Sequence, residues 1–180
     1  GARTMARGNV SNTGLMMARL CYDLLMEKGR AALSAVERHE VTPGLEDVVE
    51  ATIYLSGLGF ENGGLAAAHA INDGFAQEPQ AHGMYHGEKV AFGTLTQLVL
   101  EKAPQEELEQ VLSFLKDTGL PMTLAQLGVA EVVPETLHKV AEAACVPTQS
   151  TKNLRADITA QEVYDAILEA DRLGREWLAR

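Results

Sequence analysis

Five histidines, His39, His69, His82, His86 and His138, are the side chains of this sequence best suited to chemistry near neutral pH. An imidazole there can carry a proton or, when neutral, ligate a metal. His69 sits in Gly63-Gly64-Leu65-Ala66-Ala67-Ala68-His69-Ala70, on a run of very small residues that lets another backbone or a substrate come close. His86 follows 17 positions later, in His82-Gly83-Met84-Tyr85-His86-Gly87-Glu88-Lys89. That interval suits one ligand on each of two adjacent helices joined by a tight loop. Two converging imidazoles are half of a zinc site, and a catalytic zinc has three protein ligands and one open position. A carboxylate is the expected third ligand. A histidine on an Ala-rich helix also fits a plain core role, hydrogen-bonded to a carbonyl. His82 and His86 form a rival i, i+4 pair, although Gly83 argues against a helix between them. His39 and His138 lie among charged residues and read as solvated. Glu88-Lys89 could serve as acid and base or simply form a surface turn. Phe60 could wall a substrate pocket before the Gly63-Gly64 turn, or be a core aromatic.

Helices must position these groups, because the apolar period is helical nearly throughout and alternating β-branched runs are almost missing. A first helix is expected from Thr13 to Arg38, with Met17, Leu20, Cys21, Leu24 and Leu25 on its apolar face. Thr42-Pro43 opens a second, which Gly57-Leu58-Gly59 is expected to end. A third follows Gly63-Gly64 up to Gly74, and a fourth spans Tyr85 to Lys102. Further helices are expected from Pro104 to Gly119, over Thr123–Leu127 and Pro134–Cys145, and after the capping box Thr159-Ala160-Gln161-Glu162, with Pro147–Arg155 a polar loop. The expectation is an all-α helical bundle, a single domain over residues 1–180.

Composition narrows the functions available. The chain has 180 residues, 46% hydrophobic and 22% charged, ordinary for a globular protein of about one domain. Its net charge of −10 disfavours nucleic acid and anionic membrane surfaces, both of which need a cationic face. The most apolar stretches, near Leu65–Ile71 and Val90–Leu100, fall short of the roughly 20 residues of a membrane span. No basic segment with an apolar run opens the sequence as a secretory signal would. Cys21 and Cys145 sit in apolar helical settings without a partner at ligand spacing, and read as buried thiols of a reducing, cytoplasmic compartment. Gly57-Leu58-Gly59-Phe60-Glu61-Asn62-Gly63 is not a dinucleotide fingerprint: the third glycine is one place late, and the segment ends a helix where a strand is required. Gly1-Ala2-Arg3-Thr4-Met5 has neither a helix cap nor a start-like sequence, and reads as the middle of a longer chain.

The two histidine segments carry a more specific signal. Gly63-Gly64-Leu65-Ala66-Ala67-Ala68-His69-Ala70 and His86-Gly87-Glu88-Lys89-Val90-Ala91-Phe92-Gly93 closely resemble the glycerol dehydrogenase family, within the metal-containing group III alcohol dehydrogenases. The likeness extends to Thr42-Pro43-Gly44-Leu45-Glu46, Tyr54-Leu55-Ser56-Gly57, Gly119-Leu120-Pro121-Met122-Thr123-Leu124-Ala125-Gln126-Leu127 and Val140-Ala141-Glu142-Ala143-Ala144-Cys145. It covers the C-terminal, all-helical half of such enzymes. The resemblance implies that His69 and His86 are two of three ligands to a divalent metal, typically Zn2+. It implies that the third, an aspartate, would precede Gly1, and that NAD is held by an N-terminal domain absent from this chain. Where the family often has a second histidine, this chain has Asn72, a position that is not a family ligand. The implied reaction converts glycerol and NAD to dihydroxyacetone and NADH, with zinc polarising a vicinal diol and the alkoxide passing hydride to nicotinamide. The implied catalytic groups are the metal ligands alone. The chain by itself is then expected to be inactive, to hold zinc weakly, and to form a homo-oligomer. Two other readings stay open. Dehydroquinate synthase, a lyase, shares the fold and a similar His-Gly-Glu signature. A non-catalytic helical oligomerisation module would also present apolar faces.

Overall fold

The structure, a computed structural model, describes residues 2–180; Gly1 lies outside them. It is all-helical. Among the described residues the only extended pairing is an isolated bridge between Arg3 and Asn9. The α-helices are α1 (Asn12–Glu37), α2 (Pro43–Glu50), α3 (Ser56–Gly63), α4 (Ala67–Gly74), α5 (His86–Glu101), α6 (Gln105–Thr118), α7 (Pro134–Ala144), α8 (Thr151–Leu154) and α9 (Ala160–Leu178). The chain divides into two compact units, residues 1–65 and 66–180.

In the first unit the Thr42-Pro43 start signal acts as read, and α1 gains a cap at Ser11 that the sequence reading did not identify. Ser11 accepts a hydrogen bond from the Gly14 amide and Thr42 accepts one from the Leu45 amide, so each caps its helix. The end signal does not act as read. The second helix runs on from α2 through a π-helical segment, Ala51–Leu55, into α3, and stops only at Gly63. Thr52 donates its hydroxyl to the Val48 and Val49 carbonyls where this widened turn begins, competing with the helical ladder. Gly59 permits close packing instead of termination: a Cβ there would lie 3.1 Å from the Ala18 backbone nitrogen. The face of α1 also differs from expectation. Its buried positions are Gly14, Cys21, Ala32 and Ala35, while Leu20 is half exposed, because α3 approaches too closely for leucine at the contact.

The second unit holds the large core. Phe75, Phe92, Ile71, Leu95, Met122, Leu124, Leu127, Leu137, Val140, Val163 and Ile167 are all fully buried in one cluster. The expected short helix over Thr123–Leu127 is a series of turns. The buried Asp171 carboxylate accepts the Leu124 amide there, and the Thr123 hydroxyl accepts the Gln126 amide. The polar stretch before Arg155 contains the one-turn helix α8. The capping box forms as read: Thr159 accepts the Glu162 amide, and Glu162 accepts the Thr159 amide at 2.8 Å. The Thr159 amide first, then Arg155 and the Thr159 hydroxyl, hold the Glu162 carboxyl below its ordinary value. A carboxylate with a depressed folded-state pKa contributes stability that is present above the unfolded value and lost as pH falls through the folded one. Acid unfolding of Glu162→Gln should therefore begin from a lower baseline and show a shallower loss below pH 5 than the parent; circular dichroism against pH measures this.

Candidate metal centre

Both candidate ligands lie in the second unit, and a glycine brings their helices together. A Cβ on Gly93 would stand 2.4 Å from the Ala68 carbonyl oxygen, so α5 can lie this close to α4 only with glycine at that place. Gln97, one turn further along α5, accepts the Ala68 amide at 3.0 Å and satisfies a donor that the start of α4 leaves over. On the other side of α4, Gly74 meets α7 in the same way, its hypothetical Cβ 2.4 Å from the Val140 carbonyl oxygen. The small residues of α4 therefore serve the approach of other backbones. Ala67, Ala70 and Ile71 are fully buried, which leaves His69 on the half-buried side of the helix.

His86 is the first residue of α5, on an exposed turn, and the two rings meet with centroids 5.5 Å apart and planes tilted by 49°. Two imidazoles sharing one zinc at about 2.0–2.1 Å per nitrogen, with near-tetrahedral angles, would have centroids roughly 5 Å apart. The pair thus fits half of a zinc donor set. Among the described residues, no group of three or more His, Cys, Asp or Glu side chains has an arrangement that could hold a metal. Burial, then the neighbouring His86, push the His69 imidazole towards its neutral form, against a smaller opposing effect of Asp73. Neutral imidazole is the state that ligates a metal.

The other histidines lie elsewhere. His82 has a ring nitrogen 3.0 Å from the Ala76 carbonyl, in a turn and not a helix, as Gly83 suggests. His39 is exposed with φ 57°. His138 departs from the solvated reading: it is half-buried and stacked on Tyr164, centroids 3.8 Å apart and planes within 4°. Its charged sequence neighbours hid a partner 26 positions away. Glu88 accepts the Tyr85 amide at 2.7 Å and so caps α5. Phe60 is half-buried in the first unit, on α3. Cys21 is buried and Cys145 half-buried; both are free thiols, raised by desolvation. The group that sequence reasoning missed is Asp73, one turn beyond His69 on α4. Asn72 donates to one of its oxygens at 3.0 Å and Gln149 to the other at 3.1 Å.

Among the described residues no helix is long and apolar enough to cross a membrane. A comparison with models of protein families returns no match. Among solved structures, the chain superposes on a probable glycerol dehydrogenase from Sinorhizobium meliloti with a TM-score of 0.92 and 42% identity, covering 97% of this chain and 49% of that one. The fold is thus that of the all-helical part of an oxidoreductase. In sequence the chain is similar to the glycerol dehydrogenases, over their C-terminal part. The glycerol dehydrogenase of Escherichia coli O6:H1 is 53% identical over 178 residues, 99% of this chain and 48% of the relative. That of Pseudomonas putida is 49% identical over 177 residues, again 48% of its length. The chain therefore spans about half the length of the curated relatives it matches.

Gly93→Ala tests whether the close approach of α4 and α5 sets the site. Its methyl must displace a backbone carbonyl, so it should cost about 2–3 kcal/mol, read as a lowered thermal midpoint. Gly87→Ala on the same helix meets nothing within 4 Å and serves as the control.

Proposed function

We propose that this chain is the metal- and substrate-holding helical domain, over residues 1–180, of a zinc-dependent, NAD-linked glycerol dehydrogenase. The convergence of the His69 and His86 rings at 5.5 Å carries this reading, together with the similarity to glycerol dehydrogenases along nearly all of the chain. His69 and His86 supply two nitrogen donors to Zn2+. When bound, the metal supplies Lewis acidity towards a hydroxyl of glycerol or a similar vicinal diol. The partly desolvated setting of His69 pushes its ring towards the neutral form, and Glu88 caps the start of α5 at His86. Phe60 is a candidate wall of the substrate pocket. Binding of NAD falls to the part of the relatives that this chain does not match, so oxidation of the diol needs both parts.

The setting we assign is cytoplasmic, supported by two thiols that remain unpaired. The assembly we assign is a homo-oligomer. Its support lies in the first unit, where Leu15, Met16, Val41, Ile53 and Tyr54 are all more than half exposed. Neither nucleic acid nor a membrane is among the partners we assign, in keeping with the acidic charge.

Calorimetric titration with zinc chloride at pH 7.5 should show one weak, exchangeable site per chain, lost in His69→Ala and in His86→Ala. Tight one-to-one binding unchanged by His69→Ala would overturn the assignment of ligands. The 180-residue chain mixed with glycerol and NAD should form no NADH. Clear turnover by the chain alone would refute the division of labour.

A further inference from the structure

His69 and His86 are not the only polar groups on this side of α4. Ala66, His69 or Ala70, and Asp73 succeed one another at helical spacing, so the Asp73 carboxylate lies one turn beyond His69 along the same face. Both of its oxygens are held. Asn72, itself buried, donates to Oδ1 at 3.0 Å, and Gln149 donates to Oδ2 at 3.1 Å. Gln149 belongs to the segment between α7 and α8, and its neighbour Ser150 donates to the Ala66 carbonyl at 2.7 Å. Two successive side chains from a distant part of the sequence thus fasten to α4 on either side of His69 along the helix.

Neither donor neutralises the carboxylate, because both are uncharged amides. A fixed anion one turn along α4 from His69 lowers the electrostatic cost of bringing a dication to the pair without being a ligand itself. We propose that Asp73, clamped by Asn72 and Gln149, is a positioning residue of the His69–His86 pair: an outer carboxylate that favours divalent cations between the two rings. The proposal rests on the reading of that pair as a metal site. It assigns to Asp73 and Gln149 a role that packing alone does not require, since Asp73 is exposed and its contacts could be made by water.

Zinc titration by calorimetry at low and high salt tests it, with Asp73→Asn, Gln149→Ala and His69→Ala compared with the parent chain. Asparagine keeps an acceptor for Gln149 and removes the charge. Asp73→Asn should weaken zinc binding roughly tenfold at about 10 mM ionic strength, and the deficit should shrink at about 0.5 M, where exposed charges are screened. Gln149→Ala should give a smaller loss at unchanged net charge. A purely structural carboxylate would instead lower the thermal midpoint in Asp73→Asn and give a salt-independent change, which would overturn the proposal. Equal affinity in Asp73→Asn and parent, with His69→Ala abolishing binding, would overturn this inference alone. Binding unaffected by His69→Ala, or no binding by the parent, would remove the metal reading and this inference with it.

Discussion

The contact between the Gly93 position of α5 and the Ala68 carbonyl of α4 governs the geometry of the site. Helix axes ordinarily pack about 8–10 Å apart because side chains intervene. Here the intervening side chain is a hydrogen atom, and any Cβ would lie within 2.4 Å of a backbone oxygen. The approach also settles a hydrogen-bonding debt. The first amides of α4 have no intrahelical partner, Ala66 provides no cap, and Gln97 of α5 fills the vacancy at Ala68. Steric fit and polar satisfaction fix the same pair of helices in the same register. Since His69 neighbours Ala68 and His86 begins α5, this register sets the distance between the two rings.

Burial then distinguishes the two imidazoles. His69 lies against the Ala-rich, packed side of α4, and desolvation there disfavours a positive charge. His86 sits on an exposed first turn, where solvent is at hand. The pair is therefore packed on one side and open to solvent on the other. The carboxylate of Asp73 opposes the desolvation of His69, so the helix carries both the penalty on charge and a partial remedy for it.

The features legible in the sequence were those with local causes. Helix starts follow from single side chains, Thr42 and Thr159, each reaching the amide three residues on. The meeting of His69 with His86 was suggested by their 17-residue interval across a loop, while a role for the pair as ligands came from the family resemblance and not from spacing. Glycine was the ambiguous letter. Gly119 ends α6 with φ 71°, as a left-handed terminus should, whereas Gly59 sits inside a helix and spends its missing side chain on proximity to α1. The same residue type serves two physical purposes, and only the neighbouring backbone tells them apart. Asp73 with Gln149, and His138 with Tyr164, join positions 76 and 26 apart, and local pattern holds no record of either contact.

The two units also differ in what their interiors can supply. In residues 66–180 the fully buried set includes two phenylalanines in edge-to-face contact, Phe75 and Phe92, with leucines, valines and isoleucines from α4, α5, α7 and α9 around them. In residues 1–65 the buried apolar side chains are Cys21, Ala32, Ala35 and Ala51. Alanines release little area from water, at roughly 25 cal/mol per Å2, so close helix contact rather than volume holds this unit together. Several of its larger side chains are exposed: Val41, Val49, Ile53 and Tyr54 line an open groove of about 470 Å3 with Leu45, Glu46 and Glu50. Chains ordinarily place valine, isoleucine and leucine inside and leave alanine where space is tight. In the first unit the larger apolar side chains of α1, such as Met17, Leu24 and Leu25, are only half-buried, and the fully packed positions go to small residues.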